Sequence, residues 1–297
     1  MFLAMLAFIF ISSTALAVNG NIPEVIPTLV SAQKNYEPIP VLSPKSGFPV
    51  VSAQGVLAVD LLSGISLYEK NADSPLLPAS TTKIITALVA LDNYPLDMTI
   101  KVGNVRVDGQ KMGLKFGEEM KVEDLLYGLL VYSANDAAEV LALNFPGGRE
   151  NFIAAMNKKA GELSLNHSKF YNPSGLDGLG HVSTARDLVR VSEVAMRNSE
   201  FSKIVGTKDI VVKSVDNRIL HRLTNINVLL GTVPGVLGVK TGWTENAREN
   251  LVTYIERDGH KVFIAILGSQ DRFGETKELI DWIFDNYEWQ SVVLPSN

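Results

Sequence analysis

The chain has 297 residues, 46% of them apolar and 20% charged, enough to bury a core as one large domain or two ordinary ones. A formal net charge of −5 without a basic block argues against nucleic acid as a main partner. The absence of cysteine excludes disulfides, thiol nucleophiles and thiolate metal sites, and four scattered histidines (His167, His181, His221, His260) supply no helical pair for zinc.

Residues 1–17, MFLAMLAFIFISSTALA, read as a signal peptide. An apolar run is followed by polar Ser12, Ser13 and Thr14, then by a small-x-small site, Ala15-Leu16-Ala17. The run is short for a membrane span, which wants about 20 apolar residues, although no Lys or Arg precedes it. Export across the cytoplasmic membrane with cleavage after Ala17 is expected. If uncleaved, this segment would be the only membrane contact. Residues 18–50, with Pro23, Pro27, Pro38, Pro40, Pro44 and Pro49, read as a Pro-rich linker that holds a folded region over 51–290 away from the membrane or wall.

From Gly55 the pattern becomes that of a β-hairpin turning around Leu61–Gly64. Next comes PASTTKIITALVAL, residues 78–91, a helix that carries Ser80 and Lys83 on its first turn. Ser80 reads as a helix cap or as a nucleophile. The i, i+3 spacing puts the Lys83 amine on the same side as the hydroxyl. Ser31 and Lys34 share that spacing within the linker, so the pair alone decides little. Residues 122–131 and 136–144 are apolar at helical spacing and are broken by Tyr132-Ser133-Ala134-Asn135, from which a hydroxyl and an amide project. Two further helices are predicted over 150–163 and 183–197, the second capped by Ser183 or Thr184.

Strands return with KDIVVKSV, VLGVKTG, NLVTYIE and KVFIAILGS, and ETKELIDWIFDNYEW closes as an amphipathic helix. Strands at both ends predict an α+β fold. It has one largely antiparallel sheet flanked by helices, and an all-helical subdomain is inserted over roughly 95–200. Lys240-Thr241-Gly242 ends a strand at a glycine, where backbone N–H groups can approach a ligand. Two decoys, Ser164-Leu165-Asn166 and Lys45-Ser46-Gly47, share tripeptide patterns but not the order of helix start, helix–helix loop and strand end.

With PASTTK, YSAND, NPSGLDG (172–178), STARDL, NIN, GVKTGWT and LGSQDRFGETKELIDW in this order, the chain resembles the serine D-alanyl-D-alanine carboxypeptidases, the low-molecular-mass penicillin-binding proteins of peptidase family S11. The resemblance runs from about Gly55 to Tyr287. It implies a β-lactamase/transpeptidase-like fold, no cofactor and no metal. The implied partners are a peptidoglycan stem peptide and β-lactams as acylating inhibitors. The implied activity is hydrolysis of the terminal D-Ala-D-Ala bond outside the cytoplasmic membrane, during cell-wall maturation.

By the same resemblance Ser80 is the nucleophile and Lys83 its base, with Lys240 as the nearby cation that helps keep Lys83 neutral. Lowering a lysine from about 10.4 to about 7 amounts to on the order of 4–5 kcal/mol. Ser133 relays protons between the two lysines and the leaving amine, and Asn135 holds the substrate's backbone amide. Lys240 and Thr241 bind the terminal carboxylate, and the N–H groups of Ser80 and Trp243, beside Gly242, face the oxyanion. Two departures stand out. Ala247 is followed by Arg248 where the family carries glycine, and a surface side chain is expected there. The sequence stops about ten residues after its last predicted helix, so the β-rich domain and amphipathic anchor of many relatives are expected to be absent. Two rivals remain: a β-lactamase, for which Glu162-Leu163-Ser164-Leu165-Asn166 matches a deacylating loop, and a non-catalytic wall-binding relative.

Overall fold

Aliphatic runs from either end of the sequence meet in one sheet in the computed structural model, which describes residues 37–291. The chain opens with β1 (Ile39–Leu42), β2 (Gly55–Asp60) and β3 (Ser66–Lys70), and a 3-10 turn (Ala79–Thr82) leads into α1 (Lys83–Asn93). A two-stranded pair, β4 (Thr99–Lys101) and β5 (Glu119–Lys121), is followed by α2 (Val122–Leu130), α3 (Asn135–Leu143), α4 (Gly148–Glu162), α5 (Ala185–Met196) and α6 (Ser199–Val205). A second pair, β6 (Asp209–Lys213) and β7 (Leu220–Thr224), precedes β8 (Val236–Thr244), β9 (Arg248–Arg257) and β10 (His260–Ser269). Finally α7 (Arg272–Asn286) runs into β11 (Tyr287–Gln290).

The main sheet has the order β3-β2-β10-β9-β8, antiparallel throughout, so β2 and β10 pair although some 200 residues separate them. Side chains alternate across it. Leu57, Val252, Phe263 and Ala265 enter one core with α1, α2 and α5. Val56, Leu251, Ile264 and Ile266 enter the other, against Leu279, Ile280 and Ile283 of α7. Burial on both faces is why these strands read as unbroken apolar runs rather than alternating ones. The α+β architecture, with helices inserted between the two halves of a sheet, is the expected one.

The structure departs from expectation at the edges. The predicted linker extends to residue 50, but from Ile39 the chain is already part of the domain: β1 pairs with β11, and Phe48 packs on Trp282 at 5.0 Å between ring centroids. The first part of that linker and the expected leader lie outside the described residues. The closing helix ends three residues earlier than predicted. Asn286 is 1% exposed, and its carboxamide accepts from the N–H groups of Lys45 (2.6 Å) and Ser46 (2.9 Å) while donating to Trp282 O. The region expected to be wholly helical contains β4 and β5, and α6 continues beyond its predicted end. Thr184, not Ser183, caps α5 by accepting from Asp187 N.

Arg248 is exposed, as expected for a surface side chain, and its φ is 58°, in the left-handed region where glycine fits best. A side chain there costs about 1–2 kcal/mol, partly offset by the entropy glycine loses on folding. Arg248→Gly should therefore stabilise the protein by about 0.5–1 kcal/mol, read as a melting temperature higher by roughly 2 °C. Asn286→Ala should destabilise it by about 2–3 kcal/mol, because two linker N–H groups lose their acceptor, with chemical denaturation as the measurement.

Candidate active site

The chain before α1 is forced into an unusual turn. Ala79 has φ 48° and opens the 3-10 turn, in which Thr81 donates through N and Oγ1 to Pro78 O. Strain of this kind persists only where neighbours hold it. Two glycines allow that. A Cβ on Gly175 (φ 86°) would fall 1.9 Å from Ala79 O, and one on Gly242 would fall 3.0 Å from Pro78 O and 3.1 Å from Ser80 N. The turn is thus wedged between loop 172–178 and β8, with Ser80 only half-buried between them.

Lys83 is fully buried, and its Nζ meets three oxygens: Ser80 Oγ at 2.8 Å, Asn135 Oδ1 at 2.6 Å and Ser174 O at 2.6 Å. Asn135 Nδ2 donates to Asp108 O at 2.7 Å, which fixes Oδ1 as the end facing the lysine. A neutral amine has two hydrogens and one lone pair. Asn135 Oδ1 and Ser174 O can only accept, so they take both hydrogens, and the lone pair is left facing Ser80. The electrostatics favour the neutral form. Burial is the largest cause of a pKa well below the usual lysine range, and Lys240 adds to it, against opposition from Asp136 and Glu139.

Ser133 occupies the break between α2 and α3 with φ 61°, so its side chain leaves the helical path. Its Oγ accepts from Lys240 Nζ at 2.9 Å, and that nitrogen also donates to Thr241 O at 3.0 Å. Among the described residues Ser133 is bonded to Lys240 and not to Lys83, so the expected relay has one of its two arms formed in this state. Lys240, 1% exposed, is lowered to about 7, first by burial and then by Arg272.

A cavity of about 870 Å³ opens on this group, walled by Ser80, Ser133, Asn135, Thr241, Gly242 and Trp243 among others. Thr241 Oγ1 is buried and has no hydrogen-bond partner among the described residues. Trp243 stands 61% exposed at the rim. Sequence reasoning missed Arg272, which also lines the cavity. Its Nη1 donates to Gly242 O at 2.9 Å, and its Nε is buried without a partner. The only signal was its place in LGSQDRFGETKELIDW, since the contact with β8 is made through the sheet. The rival glutamate, Glu162, lies elsewhere. It ends α4 in ion pairs with Lys158 (3.4 Å) and Lys159 (3.3 Å), outside the cavity wall. Lys45 and Ser46 sit against Asn286, and the pair Ser31 and Lys34 lies outside the described residues.

The family model of D-alanyl-D-alanine carboxypeptidase, peptidase S11, matches residues 43–271. The D-alanyl-D-alanine carboxypeptidase DacF of Bacillus subtilis is 33% identical over 80% of this chain and 63% of its own length. The D-alanyl-D-alanine carboxypeptidase DacB2 of Mycobacterium tuberculosis is 36% identical over 78% of this chain and 82% of its own. The crystal structure of the Streptomyces K15 DD-transpeptidase superposes with a TM-score of 0.76 at 31% identity, covering 81% of this chain and 100% of that one.

The buried lysines carry a stability signature. Lys240 is lowered on folding from the ordinary lysine value to about 7, so the unfolded chain binds the extra proton between pH 7 and about 10.5. Its unfavourable contribution is full below pH 7 and fades as pH rises to about 10.5. Lys240→Met should raise stability by on the order of 2–4 kcal/mol at pH 7, with the gain vanishing towards pH 10.5, as followed by denaturation at several pH values.

Proposed function

The chain belongs to the peptidase S11 family of D-alanyl-D-alanine carboxypeptidases, and from that premise we propose that it hydrolyses the terminal D-Ala-D-Ala bond of peptidoglycan stem peptides through an acyl-enzyme on Ser80. The observation that carries this reading is the placement of Lys83 Nζ, 2.8 Å from Ser80 Oγ and 2.6 Å from each of two acceptors, which consume a neutral amine's hydrogens and leave its lone pair for Ser80. A serine needs such a base beside it to become nucleophilic.

In the proposed sequence Ser80 Oγ attacks the carbonyl between the two D-alanines as its proton passes to Lys83. The tetrahedral intermediate collapses when the leaving amine gains a proton through Ser133, which Lys240 contacts. Free D-alanine departs as Lys83 passes its proton on towards Ser133, and water then attacks the ester, giving a proton to the neutral Lys83, which returns it to Ser80 Oγ as the shortened peptide leaves. Thr241 Oγ1, buried and unpartnered in a residue that walls the cavity, receives the terminal carboxylate together with Lys240 and Arg272. Asn135, Gly242 and Trp243 line the path of the peptide, and Ser80 N with Trp243 N face the oxyanion, a type of donor worth about 3–4 kcal/mol. The substrate requires a site of action outside the cytoplasmic membrane, with residues 1–17 as the export signal.

Benzylpenicillin presents a strained amide and a carboxylate in the same relation as the peptide terminus. Intact-mass spectrometry should show one adduct lasting minutes or longer, mapped to PASTTK and absent in Ser80→Ala and Lys83→Ala. Rapid turnover without steady adduct would indicate a β-lactamase, and neither adduct nor turnover would sink the enzyme reading. D-Alanine release should follow pH in a defined way. Below about pH 7 Lys240 is protonated, and above it the cation that holds the carboxylate is lost. The kcat/KM for a carboxylate-ended peptide should fall through that region, while acylation by a neutral ester should not.

A further inference from the structure

The stretch Asn172–Leu176 enters the chemistry above only through Ser174 O, the carbonyl that touches the base. Its architecture depends on one side chain. Asn172 Oδ1 accepts from Gly175 N (2.7 Å), Leu176 N (3.1 Å), Ser174 N (3.2 Å) and Ser174 Oγ (3.1 Å). Asn172 Nδ2 donates to Leu176 O at 2.8 Å. One carboxamide therefore fills the inside of the loop and turns its backbone N–H groups inward. The carbonyls of Pro173 and Ser174 are left facing outward, towards α1.

Both of those carbonyls are used by the nucleophile helix. Pro173 O accepts from Thr86 Oγ1 at 2.7 Å, and Ser174 O accepts from Lys83 Nζ at 2.6 Å. Gly175 lies against Ala79 O, one residue before Ser80. The far end of the loop returns to the same helix. His181 Nδ1 accepts from Tyr171 N at 3.1 Å, so its protonated Nε2 donates to Thr82 Oγ1 at 2.9 Å. His181 is 1% exposed and is lowered to about 4 by burial, which keeps it neutral for this arrangement. The ring of contacts runs from Lys83 through the loop and His181 to Thr82, the residue before Lys83.

We propose that Asn172 is a positioning residue for the base: by holding the loop from within, it fixes Ser174 O on Lys83 and so directs the amine's lone pair at Ser80. The proposal rests on the reading of Lys83 as the base. If Ser174 O moved away, one hydrogen of neutral Lys83 would be free to turn towards Ser80, and the lone pair would no longer meet the hydroxyl proton. A misplacement of about 1 Å in such a group can cost on the order of 100-fold in rate.

The test compares acylation by benzylpenicillin, noncovalent affinity for a D-alanyl-D-alanine peptide, and amide exchange of Ser174, Gly175 and Leu176. Asn172→Ala should acylate about 100-fold more slowly with affinity changed less than about threefold, and the three amides should exchange faster. Asn172→Asp keeps the accepting oxygen but loses the donor to Leu176 O, and should recover part of the rate and of the protection. Asn172→Gln, one methylene longer with the same carboxamide, should be slow as well and covers the case in which the alanine variant does not fold. Wild-type acylation in Asn172→Ala or Asn172→Gln, or slow acylation with the amides still protected, would overturn the positioning role. An unreactive wild-type protein run alongside would instead count against the functional reading itself.

Discussion

A lysine cannot take a proton from a serine while it already holds three of its own. Much of what surrounds Lys83 bears on that constraint. Its amine is removed from water between the sheet and the inserted helices, and a second buried cation, Lys240, stands close enough to disfavour its charge. Burial alone would leave an amine free to rotate. The two acceptors, Asn135 Oδ1 and Ser174 O, come from different elements, one at the start of α3 and one from the loop before α5. The site therefore exists only when sheet, helical insert and loop are assembled together.

Such an arrangement works against stability. Ala79 and Ser133 both adopt left-handed backbone, and two lysine side chains are buried in one neighbourhood. The compensation is a sheet buried on both faces, whose alternate residues feed two separate cores. Strain gathered at a site and offset by packing elsewhere is a common division of labour. Here the strained residues lie next to the chemistry, while the large apolar side chains of β2, β9 and β10 lie behind it.

The hairpin at Gly55, the helices of the middle region, the late strands and the three motifs were legible because each is local: periodicity, caps and glycines act within a few residues. What the sequence did not show is what long-range pairing makes. The strand Ile39–Leu42 was hidden among prolines because its partner lies some 250 residues on. Tyr287–Trp289 continued a helical stripe and was read as helix, although the backbone turns extended at Tyr287 to meet that partner. The short strands Thr99–Lys101 and Glu119–Lys121 carry too few residues for alternation to register. Arg272 and Asn172 sat in quoted motifs without roles, since neither spacing nor composition tells which backbone a side chain will meet.

The ladder between β1 and β11 has a mechanical consequence. Ile39 lies opposite Gln290, and Leu42 lies opposite Tyr287, so the two ends of the described chain leave from the same end of the same two-stranded ribbon. A pull applied between them loads one residue pair at a time, as in opening a zipper, and not all pairs at once in shear. The ribbon would yield before force reached β2 or α7. Under tension from both ends, the first response of the molecule is to lengthen by a short, reversible segment while Ser80, Lys83 and the sheet behind them stay at rest.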